Sequence, residues 1–501
     1  MSSMRRRQKQ LVRVLALGLA VLLLLGTVVS IVFTHDHAHG EENRVADSFA
    51  IEAEFLEEAQ ALQIRQRLLY TNGTGQALDR VEFAVYGNMF RRQSALMYES
   101  DVWPDVFPQG NAVGGLEFSQ VLFDGEAADW GMLDENELFM RVACDLEPGE
   151  TGEFLFEYTI LLTQNAASLG VGESDWRLRG FYVQPLKFEG GEFVATSPLQ
   201  QTNYVYVGRA DYTFSITLPE RYLLAGPGEI SSAGNGDGAR AWTLSATGLR
   251  ELCISFGMRW REYEAETASG TRLRVLASSR QGGPEALDTA LAALEAYESW
   301  FGPLGWDVTI AQSDYALEPL ALQGIIWADE DGLFNAMALR RALARQFFGY
   351  SAYAMPIEDA WLADSISAYV ACLALKEAEG QDAFLDYLNS QIVPEAQYTL
   401  PGGLEVTTSA AIFTASEYES VVLGRGALVM HELCRAMGEE SFLNGLRLFY
   451  EHGLAMDVVG EYDLVDALDN ASGGSWEDFL TDWLFNVADY YVESYTLDYV
   501  D

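Results

Sequence analysis

Cysteine is scarce in this chain of 501 residues: four, at Cys144, Cys253, Cys372 and Cys434, with no CxxC pair among them. Such scatter excludes both a thiolate zinc site and a disulfide-stapled scaffold, which need closely spaced cysteines. Apolar settings such as VACLAL and ELCISF suit buried free thiols, and bridged and free states both stay open. Histidine is nearly as rare, five in all, three of them in HDHAH. Basic residues are few too, 31 Lys and Arg against 74 Asp and Glu, a formal net charge of −43. So acidic a surface repels nucleic acid and anionic lipid headgroups, and neither is an expected partner. Solubility is the plain reading of the charge. With 49% apolar residues the chain has ample material for ordinary cores and is not disordered.

One long uncharged run stands out. Val14 to Phe33 offers 20 residues without a charge, enough to cross about 30 Å of hydrocarbon as a helix. Arg5, Arg6, Arg7, Lys9 and Arg13 precede it and no acid does. The positive-inside rule then keeps residues 1–13 in the cytoplasm and puts everything past Thr34 outside, on a single-pass anchor in the cell membrane. A cleaved signal peptide is the rival, but the run exceeds the usual apolar stretch of about 7–15 residues and no small-x-small cleavage pattern follows. Past the anchor, 26 of the 31 basic residues face all 74 acidic ones, a balance of −48. Residues 34–47 read as a polar stalk. Its His35, His37 and His39 could wrap a transition metal, although a solvated stalk is the simpler reading.

Two textures follow. Residues 48–263 alternate at period two in runs such as LQIRQRLLY and YTFSITL, broken by TNGTG, LEPGETG and AGNGDG, which predicts one large antiparallel β domain. The period then lengthens: 282–302 carries a Pro near its start, apolar residues every three or four and a Gly stop, the pattern of an amphipathic helix. A strand at WDVTIAQ precedes a loop expected over 314–331. Helices are expected near 334–349, 359–378, 381–391, 420–438, 440–452, 461–471 and 476–487. Asn72 and Asn470 fit the N-glycosylation acceptor pattern.

The helix near 334–349 reads RRALARQFFG, and WLADSISAY follows from Trp361. This resembles the M1 (gluzincin) zinc metallopeptidases, whose HExxHQ(W/F)FG helix is followed by a WLNEGFAxY motif. The resemblance puts the first His at Arg341, the general-base Glu at Ala342 and the second His at Arg345. With the family's eighteen intervening residues, the third ligand falls on Asp364. AYESWFGPLGW, DYTFSITLPERYLLAGPGE, LGRGALVMHELCRAMGEESFLNGLRLFYE and ASGGSWEDFLTDWL extend the likeness over about residues 45 to 490. The family's transition-state Tyr falls on Leu423. Its amino-terminus-binding Glu falls on Ala321, with Glu318 and Glu330 as conceivable substitutes. The implied architecture is an N-terminal transmembrane helix, a large antiparallel β domain and a thermolysin-like, mostly α-helical (α+β) domain. Within the last, 264–400 is the degenerate catalytic part and 401–501 the C-terminal helical part.

Chemistry at these positions does not need the family. Arginine carries five donors and no lone pair, so it cannot ligate a cation, and Ala342 has no proton to accept or give. Zinc wants two imidazoles one turn apart and a third ligand. No cofactor is expected. Arg341 and Arg345 are both expected to face Asp364 as a charged staple in place of metal, the alternative being that both point to solvent or bind a phosphate or carboxylate ligand. HELCR, from His431, begins like HExxH but ends in Arg435 and sits on an ordinary amphipathic helix, with His452 in another. The leading expectation is an inactive, membrane-anchored peptidase-like protein that binds a peptide or protein partner. One alternative is an active hydrolase with a non-standard site, in which Asp329, Glu330, Glu358, Asp359 and Asp364 could hold a hard cation. Another is a structural accessory subunit of a membrane transport complex.

Overall fold

The computed structural model describes residues 46–485 apart from 111, 112, 201, 203, 204, 235, 237 and 397–402. The anchor at 14–33, the stalk and its His35, His37 and His39 lie outside the described residues. Among the described residues no helix is long and apolar enough to cross a membrane.

Alternation builds the first half. In the strand Ala61–Thr71, Leu62, Ile64, Leu68 and Tyr70 turn inward while Gln63, Arg65 and Arg67 face out. Gln66 shares the inward row and is held on both sides of its amide. Its Nε2 donates to Val183 O at 2.6 Å, and its Oε1 accepts from Val183 N at 3.0 Å and from the Tyr158 hydroxyl at 3.1 Å. Left unbonded, such a buried amide would cost about 1–3 kcal/mol. The strand belongs to an eight-stranded sheet with Asp47–Leu56, Thr151–Leu161 and Ala210–Pro219. Asp47–Leu56 pairs antiparallel with Ala61–Thr71 but parallel with Ala210–Pro219, so the sheet is mixed and not wholly antiparallel. Turn signals reveal hairpins; a parallel neighbour arrives from distant chain and leaves no local mark. A four-stranded sheet centred on Leu78–Ala84 and Phe139–Leu146 packs against it, Phe83 lying 5.2 Å from Phe154 and 5.3 Å from Phe156 between ring centroids. Asn72 is buried, its Nδ2 donating to Gln76 O and Leu146 O, which overturns its reading as a glycan acceptor.

The second half centres on a five-stranded sheet in the order Arg261–Glu266, Arg272–Ala277, Val308–Gln312, Ile325–Ala328, Leu320–Leu322. Its middle three strands run parallel. The crossover between the first two of these is the helix Gly282–Phe301 (α1), whose Ala286, Ala290, Ala293, Leu294 and Tyr297 form the buried stripe that the 3.6-residue period predicts. The last two strands form a hairpin inside the loop expected over 314–331. LALQGIIWA is buried on both faces and so lacks the alternation that would have marked it. Gly324 turns the hairpin at φ 71°, where any Cβ would press on Pro227.

Helix Ala336–Arg345 (α2) starts where the Asn335 side chain accepts from Ala338 N at 3.1 Å, and runs on as a π-helical turn over Gln346–Ser351. Helix Ala360–Glu379 (α3) is buried on every face from Ala360 to Leu375, the signature of a core helix rather than a surface one. Gly426–Met437 (α4) crosses α3 so closely that a Cβ at Gly426 would collide with the Ser365 side chain. All four cysteines are free. Burial pushes the thiols of Cys372 and Cys434 up to about 12 and about 11, which keeps them protonated and unreactive.

Candidate functional site: the Arg345–Asp364–Tyr418 cluster

Three side chains meet at the foot of α2. Arg345 Nη2 lies 2.6 Å from Asp364 Oδ1, with side-chain exposures of 10% and 0%. The other oxygen, Asp364 Oδ2, accepts from the Tyr418 hydroxyl at 2.6 Å. Tyr418 closes a short helix, Ala415–Tyr418, opened by a capping box in which Thr414 and Glu417 bond each other's backbone. A buried carboxylate between a guanidinium and a phenol is neutralised and bonded on both oxygens, the condition under which burying charge is tolerable.

Arg341, one turn earlier, does not join them. Its guanidinium pairs with Glu318, on the approach to the hairpin, with side-chain exposures of 23% and 58%. The staple of two arginines expected on Asp364 is therefore a staple of one. Arg341 instead turns to Glu318, a partner that is more than half exposed and keeps the guanidinium near water. This contact also gives Glu318 a different employment from the amino-terminus-binding role considered for it. Ala342 is buried in the core of the helical half. Leu423 is half-buried and packs against that same core, in a π-helical segment Glu419–Arg425. Ala321 is buried on the edge strand, and its carbonyl accepts from the Tyr350 hydroxyl at 2.9 Å. Glu419 lies nearby, its carboxyl raised by burial and then by Glu318 and Glu395.

Gln346 ties the helix to that strand. Its Nε2 donates to Leu322 O at 2.9 Å, while its Oε1 accepts from Gly324 N at 2.9 Å and from Trp306 Nε1 at 3.3 Å. Neither this clamp nor Tyr418 is singled out by the sequence reading. The capping box TASE ahead of Tyr418 is the signal that could have fixed a helix there.

The carboxylates considered for a hard cation are dispersed. Asp329 caps the helix Glu330–Phe334 by accepting from Gly332 N at 2.6 Å, and burial raises its carboxyl. Asp359 stands at the start of α3, raised by burial and by Glu358. Among the described residues no three His, Cys, Asp or Glu side chains gather as a metal site. His431 is buried beside Tyr369, whose hydroxyl lies 3.2 Å from its Nδ1, and burial pushes the imidazole down to about 4. His452 instead meets Asp463 at 3.1 Å.

Solved structures of an M1 zinc metallopeptidase from Deinococcus radiodurans superpose on the chain with a TM-score of 0.63 at 15% identity, covering 91% of this chain and 96% of that one. A glutamate-to-alanine mutant of that enzyme bound to a Tyr-Ser-Ala substrate gives 0.64 at 16%, with the same coverage. The fold is that of the M1 zinc metallopeptidases. In sequence, the chain is 25% identical over 403 residues to aminopeptidase N of Lactococcus lactis and 24% identical over 351 residues to the puromycin-sensitive aminopeptidase of Caenorhabditis elegans. It spans less than half the length of these relatives, 46% and 37%. No family model matches the chain.

The zinc that this M1 fold implies does not fit the donors present. At the positions that the motif resemblance would assign to histidine stand Arg341 and Arg345, guanidiniums without a lone pair, and Asp364 is already engaged by Arg345 and Tyr418.

Proposed function

We propose that the chain is an M1-peptidase-like protein without hydrolytic activity, held at the cell membrane by residues 14–33, which uses the retained cleft to bind a peptide or protein partner. The observation that carries this reading is the Arg345–Asp364–Tyr418 cluster, a metal position rebuilt as a closed ionic junction. Removing two imidazoles would leave a charged hole; filling it with a matched carboxylate partner keeps helices α2 and α3 together and argues that the fold is maintained for something other than turnover. A binding surface in this fold does not depend on a metal ion, because the strands and helices that would form it are held by their own packing.

Zinc analysis of the purified full chain, combined with an aminopeptidase assay on fluorogenic aminoacyl substrates, tests the proposal. The expected outcome is no stoichiometric zinc and no turnover. Near one zinc per chain together with phenanthroline-sensitive cleavage would overturn it in favour of an active hydrolase, the activity named in both curated relatives. Capture of one specific partner from membranes, lost when the exported part is deleted, is the expected positive result.

A further inference from the structure

A second concentration of arginine lies away from the helical core. Ser174, Arg259, Arg261, Ser278 and Arg280 line a cavity of about 490 Å³. Ser278 and Arg280 follow the strand Arg272–Ala277, and Asp314, also on the lining, follows the parallel strand Val308–Gln312. The cavity therefore sits beyond the carboxyl ends of parallel strands, where open α/β sheets gather ligands.

Its arginines are unusual for this protein. In a chain with 74 acidic residues, most described guanidiniums sit against a carboxylate, yet Arg259, Arg261 and Arg280 form no ion pair among the described residues. Arg261 has one bond, from Nη1 to Ser278 O at 3.4 Å. The two carboxylates on the lining leave all three alone: Asp314 Oδ2 accepts from Ser174 N at 3.1 Å, and Glu173 is exposed at the rim. Arg259 adopts φ 63°, a conformation that L residues seldom take. Its turn is held by Met258 N donating to Ser174 O at 2.8 Å and by Trp260 packed where any side chain at Gly257 would stand. The 20-residue helix α1 begins two residues past Arg280 and adds its positive end to the local field.

We propose that this cavity binds a small phosphate-bearing anion. Guanidiniums match phosphate with paired, charge-assisted hydrogen bonds, and a space of this volume admits a small molecule. The protein's overall negative charge decides the ligand's size. An extended polyanion would meet repulsion along its length, whereas screening over about 8 Å at physiological ionic strength confines a compact anion's interactions to the cavity.

Titration calorimetry of the full chain in detergent, at constant ionic strength in chloride, tests this with pyrophosphate and citrate as probes. Saturable pyrophosphate binding is expected, tighter than citrate, and weakened at least about tenfold in R261Q/R280Q. R141Q/R240Q removes the same charge from arginines that line no part of the cavity and is expected to leave binding unchanged. Should the first double variant not fold, the exposed single variant R280Q carries the same test, with a loss of about tenfold. Absence of saturable pyrophosphate binding, or equal weakening in the two double variants, overturns the site. Tighter binding of citrate than of pyrophosphate overturns its assignment to phosphate.

Discussion

Arg341 and Arg345 stand one helical turn apart on α2, both at positions that the motif resemblance would give to histidine, yet they solve different problems. Arg345 is buried against a fully buried carboxylate that Tyr418 also bonds. Arg341 lies at the exposed side of the helix against Glu318, which is more than half exposed. A guanidinium on the inner face cannot exist without its partner; one on the outer face keeps water as an alternative. Energy should therefore concentrate in the inner pair, although the two contacts look alike in chemistry.

The strongest way to break that contrast is D364A. It strands Arg345 without its carboxylate and is expected to cost about 3–5 kcal/mol, read from chemical denaturation of the full chain. Restoring packing with the apolar pair R345M/D364L is expected to recover most of that loss, which separates the stranded charge from the missing volume. A melt of D364A unchanged from the parent would sink the staple.

Next in size is a buried group that forms no ion pair among the described residues. His431 is depressed to about 4 by burial, so the unfolded chain takes up its proton first as the pH falls below about 6.5. Its contribution is complete above that value and is lost as the pH drops towards 4, about 3 kcal/mol in all. Denaturation at pH 7, 5.5 and 4 should show a slope that shrinks in H431Q; an identical slope in that variant would remove His431 from the account.

Y418F sharpens the inner pair itself. Loss of one hydrogen bond to a buried charge is expected to cost about 1.5–3 kcal/mol, with Arg345 still in place. The smallest effect belongs to the outer pair: E318A should change stability by less than about 1 kcal/mol and less still in high salt. If E318A cost as much as D364A, the distinction between the two arginines would be wrong.

Much of this arrangement was legible in the sequence because it is periodic. The stripe of α1 and the change from period two to 3.6 follow from local text, while the meeting of Arg345 with Asp364 was implied by the family resemblance. Three features were not. The hairpin around Gly324 is apolar on both faces, so nothing alternates. The parallel pairing of Asp47–Leu56 joins segments far apart in the chain. The direction of Arg341 towards Glu318, and the bond of Tyr418 to Asp364, bring together residues from separate segments of the chain. Sequence spacing fixes which residues share a helix face; a partner from another segment needs the tertiary structure.

Gln346 carries a further meaning. One amide grips the end of α2, the turn of the hairpin and the indole of Trp306 together. Anything that leans on that edge strand pushes through this knot on the helix bearing Arg341 and Arg345. A docked guest would thus be felt by the scaffold as a load on its central joint, rather than as a weight resting on a loose flap.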